Sequence, residues 1–191
     1  MPPFHLQMRT LLCIVLATTL LLGCGDGGDP ESAAPSREKA ASALASAPAP
    51  LAGLHAQANR LLDGGRPAFE RRIRGLRGYP VVVNKWASWC PPCRAEFPFF
   101  QKQSIERGKK VAFIGVDADD NDDDAKAFLR KFPVSFPSYS DPRLKVSASF
   151  NGVAAFPSTA FYDSKGKLAY LKQGGYATEA KLVEDIERYA R

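Results

Sequence analysis

The sequence predicts an α/β fold: a mixed central sheet with helices on both faces, preceded by an N-terminal helical extension. Three observations carry that expectation. Val81-Val82-Val83 is a short β-branched run that reads as a buried strand, and residues 111–116 read as a second, with helical patterns between and after them. A β-hairpin signal follows late, with strands on either side of Asp163-Ser164-Lys165-Gly166. An amphipathic helix comes last, with Leu182, Val183, Ile186 and Tyr189 on its inner face.

The elements follow in order. Leu51, Leu54, Ala58, Leu61 and Leu62 recur at helical spacing, and Gly64-Gly65 ends that helix. Pro67 opens a second helix with Phe69, Ile73 and Leu76 on one face, closed by Gly78. The first strand follows Tyr79-Pro80. Residues 91–107 read as a helix that Pro98 is expected to kink. The strand at 111–116 leads to a helix at 122–132, with Phe128 and Leu129 facing inward. Asp141-Pro142 signals a helix start, and that helix stops near Asn151-Gly152. Thr159 to Tyr162 is a strand, residues 167–171 its hairpin partner, and Thr178 the cap of the last helix.

A chain of 191 residues with 45% hydrophobic and 24% charged residues suits one domain with appendages. Residues 11–22 are an apolar run after Arg9, as long as a secretory signal core and too short for the ~20 residues a membrane span needs. Leu21-Leu22-Gly23-Cys24 resembles the lipobox of bacterial lipoproteins, which implies cleavage before Cys24 and a lipid on it. An ordinary cleaved signal and an uncleaved anchor are the alternatives, and all three place the domain outside the cytoplasm. Residues 24–50 are rich in Ala, Ser, Pro and Gly and read as a flexible tether. The division is therefore 1–23 signal peptide, 24–50 tether and 51–191 folded domain, with its core at about 78–191.

The net charge is +6, with one basic cluster at Arg71, Arg72, Arg74 and Arg77. Helical spacing puts these arginines on a solvent-facing surface. No aromatic residues interleave with them, so nucleic-acid binding is not expected. Asp117, Asp119 and Asn121 copy the start of a calcium loop, but Asp122 stands where glycine is needed and Phe128 where glutamate is needed. An acidic loop capping the next helix is the expectation there.

The chemistry lies in Trp89-Cys90-Pro91-Pro92-Cys93, between a buried strand and a helix. Zinc wants about four ligands, and after the signal the chain offers no second such pair and only His55. No metal is expected. A cysteine at a helix N-terminus faces unpaired backbone N–H groups and the positive end of the dipole, and both favour thiolate. Cys90, at the exposed helix start, is expected to attack a partner disulfide, and Cys93, one turn inside, to resolve the mixed disulfide. A purely structural disulfide is the competing reading.

The block Val82-Val83-Asn84-Lys85-Trp86-Ala87-Ser88-Trp89-Cys90-Pro91-Pro92-Cys93-Arg94-Ala95-Glu96-Phe97-Pro98 resembles the active site of TlpA/ResA-like thioredoxins. Gly115-Val116-Asp117, Ala127-Phe128-Leu129, Phe150-Asn151-Gly152-Val153 and Pro157-Ser158-Thr159 extend the likeness. The resemblance implies a thioredoxin fold and a membrane-tethered, extracytoplasmic thiol–disulfide oxidoreductase, a family in which several members act in cytochrome c maturation. It implies that Pro157 is a cis-proline shaping a substrate groove with Trp89, Pro91, Pro92 and Phe156. It also makes Glu96 a proton carrier for Cys93, because Asn84 stands where thioredoxin has a buried aspartate. Phe156 is bulkier than the family's usual residue before the proline, and Pro91-Pro92 departs from the familiar dipeptides.

The expected function is a disulfide reductase acting on client proteins, needing no cofactor beyond the Cys90–Cys93 pair. Its expected partners are client thiols and disulfides, a membrane thiol electron donor, and the membrane itself through a lipid on Cys24. It is expected to be a monomer. An oxidase running the same pair in reverse, a peroxiredoxin-like peroxidase and a redox-inert binding module are the alternatives.

Overall fold

The structure, a computed structural model, describes Met1 and residues 37–191. Residues 2–23 of the expected signal peptide, with Cys13, and Cys24 after it lie outside the described residues. Seven helices and six strands are described: α1 (Arg37–Leu44), α2 (Ala49–His55), β1 (Leu61–Leu62), α3 (Gly65–Gly75), β2 (Val81–Trp86), α4 (Pro91–Arg107), β3 (Ala112–Ala118), α5 (Asp122–Lys131), β4 (Ser138–Asp141), α6 (Lys145–Ala148), β5 (Ser158–Tyr162), β6 (Leu168–Gln173) and α7 (Glu179–Tyr189).

The strands form one sheet in the order β1-β4-β3-β2-β5-β6. The first four run parallel, and β5 and β6 join antiparallel. β2 and β3 are buried along their whole length, because helices cover both faces of the sheet. Alternation along β2 divides its side chains between two cores. Val82 and Trp86 pack with Phe97 and Phe100 of α4, Phe128 of α5 and Leu182 and Ile186 of α7. Val81 and Val83 pack with Leu51 and Leu54 of α2, Phe69 and Ile73 of α3 and Val146 of α6. This is the mixed, two-sided architecture the sequence predicts.

Several expectations are corrected. The leucine spacing across 51–62 is not one helix, since α2 ends at His55 and Leu61–Leu62 is a strand beside β4. Asn59 makes the break. It adopts φ 60°, a conformation asparagine tolerates, and its side chain bridges Leu129 O and Val134 N. The expected tether contains α1, which buries Ala40 and Leu44. Leu44 lies so close to Gly108, at the end of α4, that a Cβ there would meet its Cδ2 at 2.7 Å.

Asp141 does not begin a helix but ends β4. Its carboxylate reaches over the next turn and accepts from Val146 N, Ser147 N and Ser147 Oγ, so it caps α6 from a strand. Thr178 precedes α7 without a side-chain cap bond. Arg72 is not free on the surface: it donates to Tyr139 Oη and Gln57 Oε1. The acidic loop behaves as expected, with Asn121 Oδ1 accepting from Asp124 N at the start of α5.

Candidate active site

The site forms where β2 ends and α4 begins. β2 ends inside the sheet, between β3 and β5, Ser88 and Trp89 make a turn closed by Cys90 N donating to Ala87 O, and Cys90 becomes the N-cap of α4. Pro91 and Pro92 occupy the first helical positions, where a missing N–H costs nothing. Cys93 N–H is therefore the first amide donor inside the helix, and it points at Cys90 Sγ, 3.2 Å away. Cys90 and Cys93 are joined as a disulfide with their Cα atoms 5.3 Å apart.

Both cysteines are buried, at 1% and 0% exposure. Cys90 was expected at an exposed helix start, and in the disulfide form it is not exposed. The exposed residue is its neighbour Trp89, at 51%. The indole Nε1 donates to Asp119 O at 2.8 Å, and Ser88 N donates to the Asp120 carboxylate. The cysteine loop is thus fastened to the loop that follows β3.

Residues 152–157 carry a second aromatic ring to the cysteine loop. The Phe156–Pro157 peptide is cis. The Phe156 ring lies 4.8 Å from that of Trp89, so these two rings meet directly. Pro157 is buried and its carbonyl accepts from Gly174 N.

Behind the cysteines lies Glu96, one helical turn beyond Cys93 and fully buried. Its Oε1 accepts from Asn84 Nδ2 at 2.7 Å and its Oε2 from Tyr176 N at 2.9 Å. Burial pushes the carboxyl up to about 7, against the opposing pull of those two hydrogen bonds and the Lys172 charge. Gly175 packs between Glu96 and the cis-proline: a Cβ on it would lie 3.5 Å from Pro157 Cγ and 3.6 Å from Glu96 Oε2. A carboxyl that titrates near neutrality can take or give a proton under ordinary conditions.

The sequence assigns no place in the site to four further residues, Tyr176, Lys172, Asp117 and Lys85. Tyr176 and Lys172 complete the Glu96 surroundings. Lys172 Nζ donates to Gly174 O and Gly175 O and lies 4.7 Å from the Tyr176 ring centroid. Asp117 is buried on β3, and burial, followed by the charge of Asp120, pushes it up to about 9. Lys85 is fully buried beside Asn84 on β2. A charged residue inside an otherwise apolar strand was the available signal for both Asp117 and Lys85.

Comparison with known proteins fits this geometry. The Redoxin family model matches residues 70–187, and the chain belongs to that family. Thioredoxin-like protein YneN of Bacillus subtilis is 30% identical over 105 residues, covering 53% of this chain and 61% of that protein. Thiol-disulfide oxidoreductase ResA of Geobacillus kaustophilus is 30% identical over 121 residues, covering 63% of this chain and 66% of ResA. The chain thus spans less than two thirds of the length of these curated relatives. Among solved structures, MTB DsbF is 30% identical with a TM-score of 0.55, covering 60% of this chain and 84% of that one. A DsbF homologue from Corynebacterium diphtheriae is 25% identical with a TM-score of 0.51, covering 59% of this chain and 73% of that one. The fold is the thioredoxin fold.

Proposed function

We propose that the chain is a thiol–disulfide oxidoreductase that reduces disulfides in client proteins through Cys90 and Cys93. The observation that carries this reading is the disulfide at the N-terminus of α4, with a near-neutral buried carboxyl one turn behind it. In the dithiol form, Cys90 thiolate attacks one sulfur of a client disulfide. A Cys90–client disulfide forms and the client's other sulfur leaves as thiolate. Cys93, its proton passed to Glu96, then attacks Cys90 Sγ. The Cys90–Cys93 disulfide closes and the second client sulfur leaves. The client gains two electrons and the pair loses two.

A thiol donor returns the pair to the dithiol. We assign that role to a membrane electron carrier on the outer face of the cytoplasmic membrane, with the chain held there by a lipid on Cys24. Among the described residues no helix is long and apolar enough to cross a membrane. We assign the client groove to Trp89, Pro91, Pro92, Phe156 and Pro157: the first three adjoin the cysteines in the chain, and Phe156 meets Trp89. Cytochrome c maturation is the process this reading places first for testing.

The deciding measurement is the reduction potential of the Cys90–Cys93 pair. A value near about −270 mV supports a reductase, and one near about −120 mV identifies an oxidase.

A further inference from the structure

We infer that Lys85 is the positioning residue of the client groove: its buried ammonium holds the segment that carries Phe156 and cis-Pro157 against the cysteine loop. This inference rests on the proposed exchange reaction and deepens it.

The geometry comes first. Lys85 Nζ donates to Gly152 O at 2.7 Å, Ala155 O at 3.0 Å and Val153 O at 3.3 Å. A protonated lysine has three N–H donors, and three carbonyls of one short segment receive them. The same nitrogen sits 3.5 Å from the centroid of the Phe156 ring. Phe156 in turn meets Trp89, the residue before Cys90. One cation therefore ties together the backbone before the cis-proline and the ring that meets Trp89, the residue before Cys90.

The lysine stands where the fold by itself asks for an apolar side chain. Val81 and Val83 point to the same face of β2 and are wholly buried in the core beneath α3. Its partners in register are Val116 on β3 and Ser158 on β5, neither charged. Taking an ammonium out of water is expensive, and carbonyl dipoles with a ring face return only part of that cost. An apolar side chain fills such a site without the penalty. What the lysine adds is a fixed position for residues 152–156. Ser158 Oγ reinforces it with a bond to Ala155 O at 2.8 Å.

The hold depends on the proton. The carboxylates that act on Lys85 are Asp141, at the end of β4, and Asp119, after β3. Asp117 lies on the opposite face of β3, in register with Trp86. The segment from α6 contributes carbonyls and a ring, with no charge among residues 152–156. Burial draws the Lys85 ammonium down to about 8 against the pull of Asp141 and Asp119. Loss of the proton removes the charge from both the carbonyls and the ring.

The test compares two probes on the reduced full-length chain, held in detergent, by stopped-flow tryptophan fluorescence. One is an octapeptide disulfide long enough to lie along the groove, and the other is 2-hydroxyethyl disulfide, which reaches only the sulfurs. Both use the same thiolate, so the ratio of their second-order rate constants reports the groove. For wild type the ratio falls about tenfold between pH 7 and 9.5, equivalent to ~1.4 kcal/mol of transition-state binding. In Lys85→Met the ratio is low and flat across that range. In Lys85→Arg, which keeps its charge, it stays near the wild-type neutral value at pH 9.5. A wild-type ratio independent of pH overturns the inference, as does Lys85→Met with the wild-type ratio. If neither variant folds, the wild-type profile decides. If neither probe reacts with wild type, the exchange reading itself fails, and the inference with it.

Discussion

Asn84 Nδ2 donates to Glu96 Oε1 at 2.7 Å, and neither side chain is exposed to more than a trace of solvent. The other amide atom, Asn84 Oδ1, has no hydrogen-bond partner among the described residues. The pair can serve both protonation states of the carboxyl. Toward a carboxylate the asparagine presents its NH2, and toward a carboxylic acid a half-turn of the amide presents its free oxygen. Asparagine cannot carry the proton, but it can accommodate a neighbour that does.

Glu96→Gln follows from this relationship. Glutamine can donate to the rotated Asn84 amide and still accept from Tyr176 N, so the fold is retained. The variant loses the negative charge behind the cysteines and the group that receives the Cys93 proton. We expect thiolate absorbance in the reduced variant to appear at lower pH than in wild type, because charge repulsion is gone. We expect the resolving step to slow by about 10²-fold, the lower end of general-base effects. Superimposable titration and single-turnover curves overturn the proton-carrier role.

The same carboxyl makes stability depend on pH. Its folded value, about 7, lies above the ordinary value of 4.5, so the folded state holds the proton more tightly. Its favourable contribution is complete below the ordinary value and is lost as pH rises toward about 7, with no further change above that. The size is on the order of 3 kcal/mol as an upper figure, at 1.36 kcal/mol per pKa unit. Urea unfolding of the oxidised chain at pH 4, 5.5 and 8 measures it. Wild type should lose stability relative to Glu96→Gln across that interval, and a constant difference between the two contradicts the assignment.

Cys90 and Cys93 differ in what lies around them more than in exposure. Cys90 follows exposed Trp89, whose ring meets Phe156, while Cys93 sits inside the helix, one turn before Glu96. Cys93→Ser should therefore accumulate covalent complexes with clients on non-reducing gels, and Cys90→Ser should accumulate none. Equal trapping by the two variants would falsify the proposed division of labour.

Much of the site was legible in the sequence for a physical reason: its chemistry is local. A buried strand, a turn and a helix start place two cysteines three residues apart, and Glu96 follows at the next turn. What stayed hidden depends on long-range contacts. The Asn84–Glu96 bond spans 12 residues and the Lys85 bonds span up to 70. Hydrophobic spacing also misled at Leu61 and Leu62, where the conformation of Asn59 outweighs the period. β4, with its polar Ser138, Ser140 and Asp141, carries no alternating pattern to announce a strand, and its parallel pairing with β3 on one side and β1 on the other reveals it.

Cys24 lies outside the described residues, and its role rests on the sequence. Cys24→Ser should release the protein from the membrane fraction or leave an uncleaved precursor. Fractionation and migration identical to wild type count against the lipid anchor.

The last prediction concerns Pro91 and Pro92. A helix normally opens with several unpaired N–H groups, and these stabilise a thiolate at its N-cap. Here the first two helical residues have none to give. Cys93 N–H is the donor to Cys90 Sγ, and Arg94 N–H is already taken by Cys90 O at 3.2 Å. The prolines therefore leave the Cys90 sulfur with a single amide donor. Pro92→Ala restores one N–H at the second helical position, where it can reach an N-cap acceptor. A charge-assisted bond of this kind contributes roughly 1.5–3 kcal/mol when well aligned. Thiolate absorbance of the reduced variant should then appear at lower pH. Because the reduced form is stabilised, the reduction potential should rise, by about 30 mV for each ~1.4 kcal/mol. Removing proline also frees the unfolded chain, which costs about 0.4–1 kcal/mol of stability. The measurements are thiolate absorbance against pH and equilibration of the pair with glutathione. A potential that stays put or moves downward shows that the amide donors at the start of α4 do not set the poise of this pair.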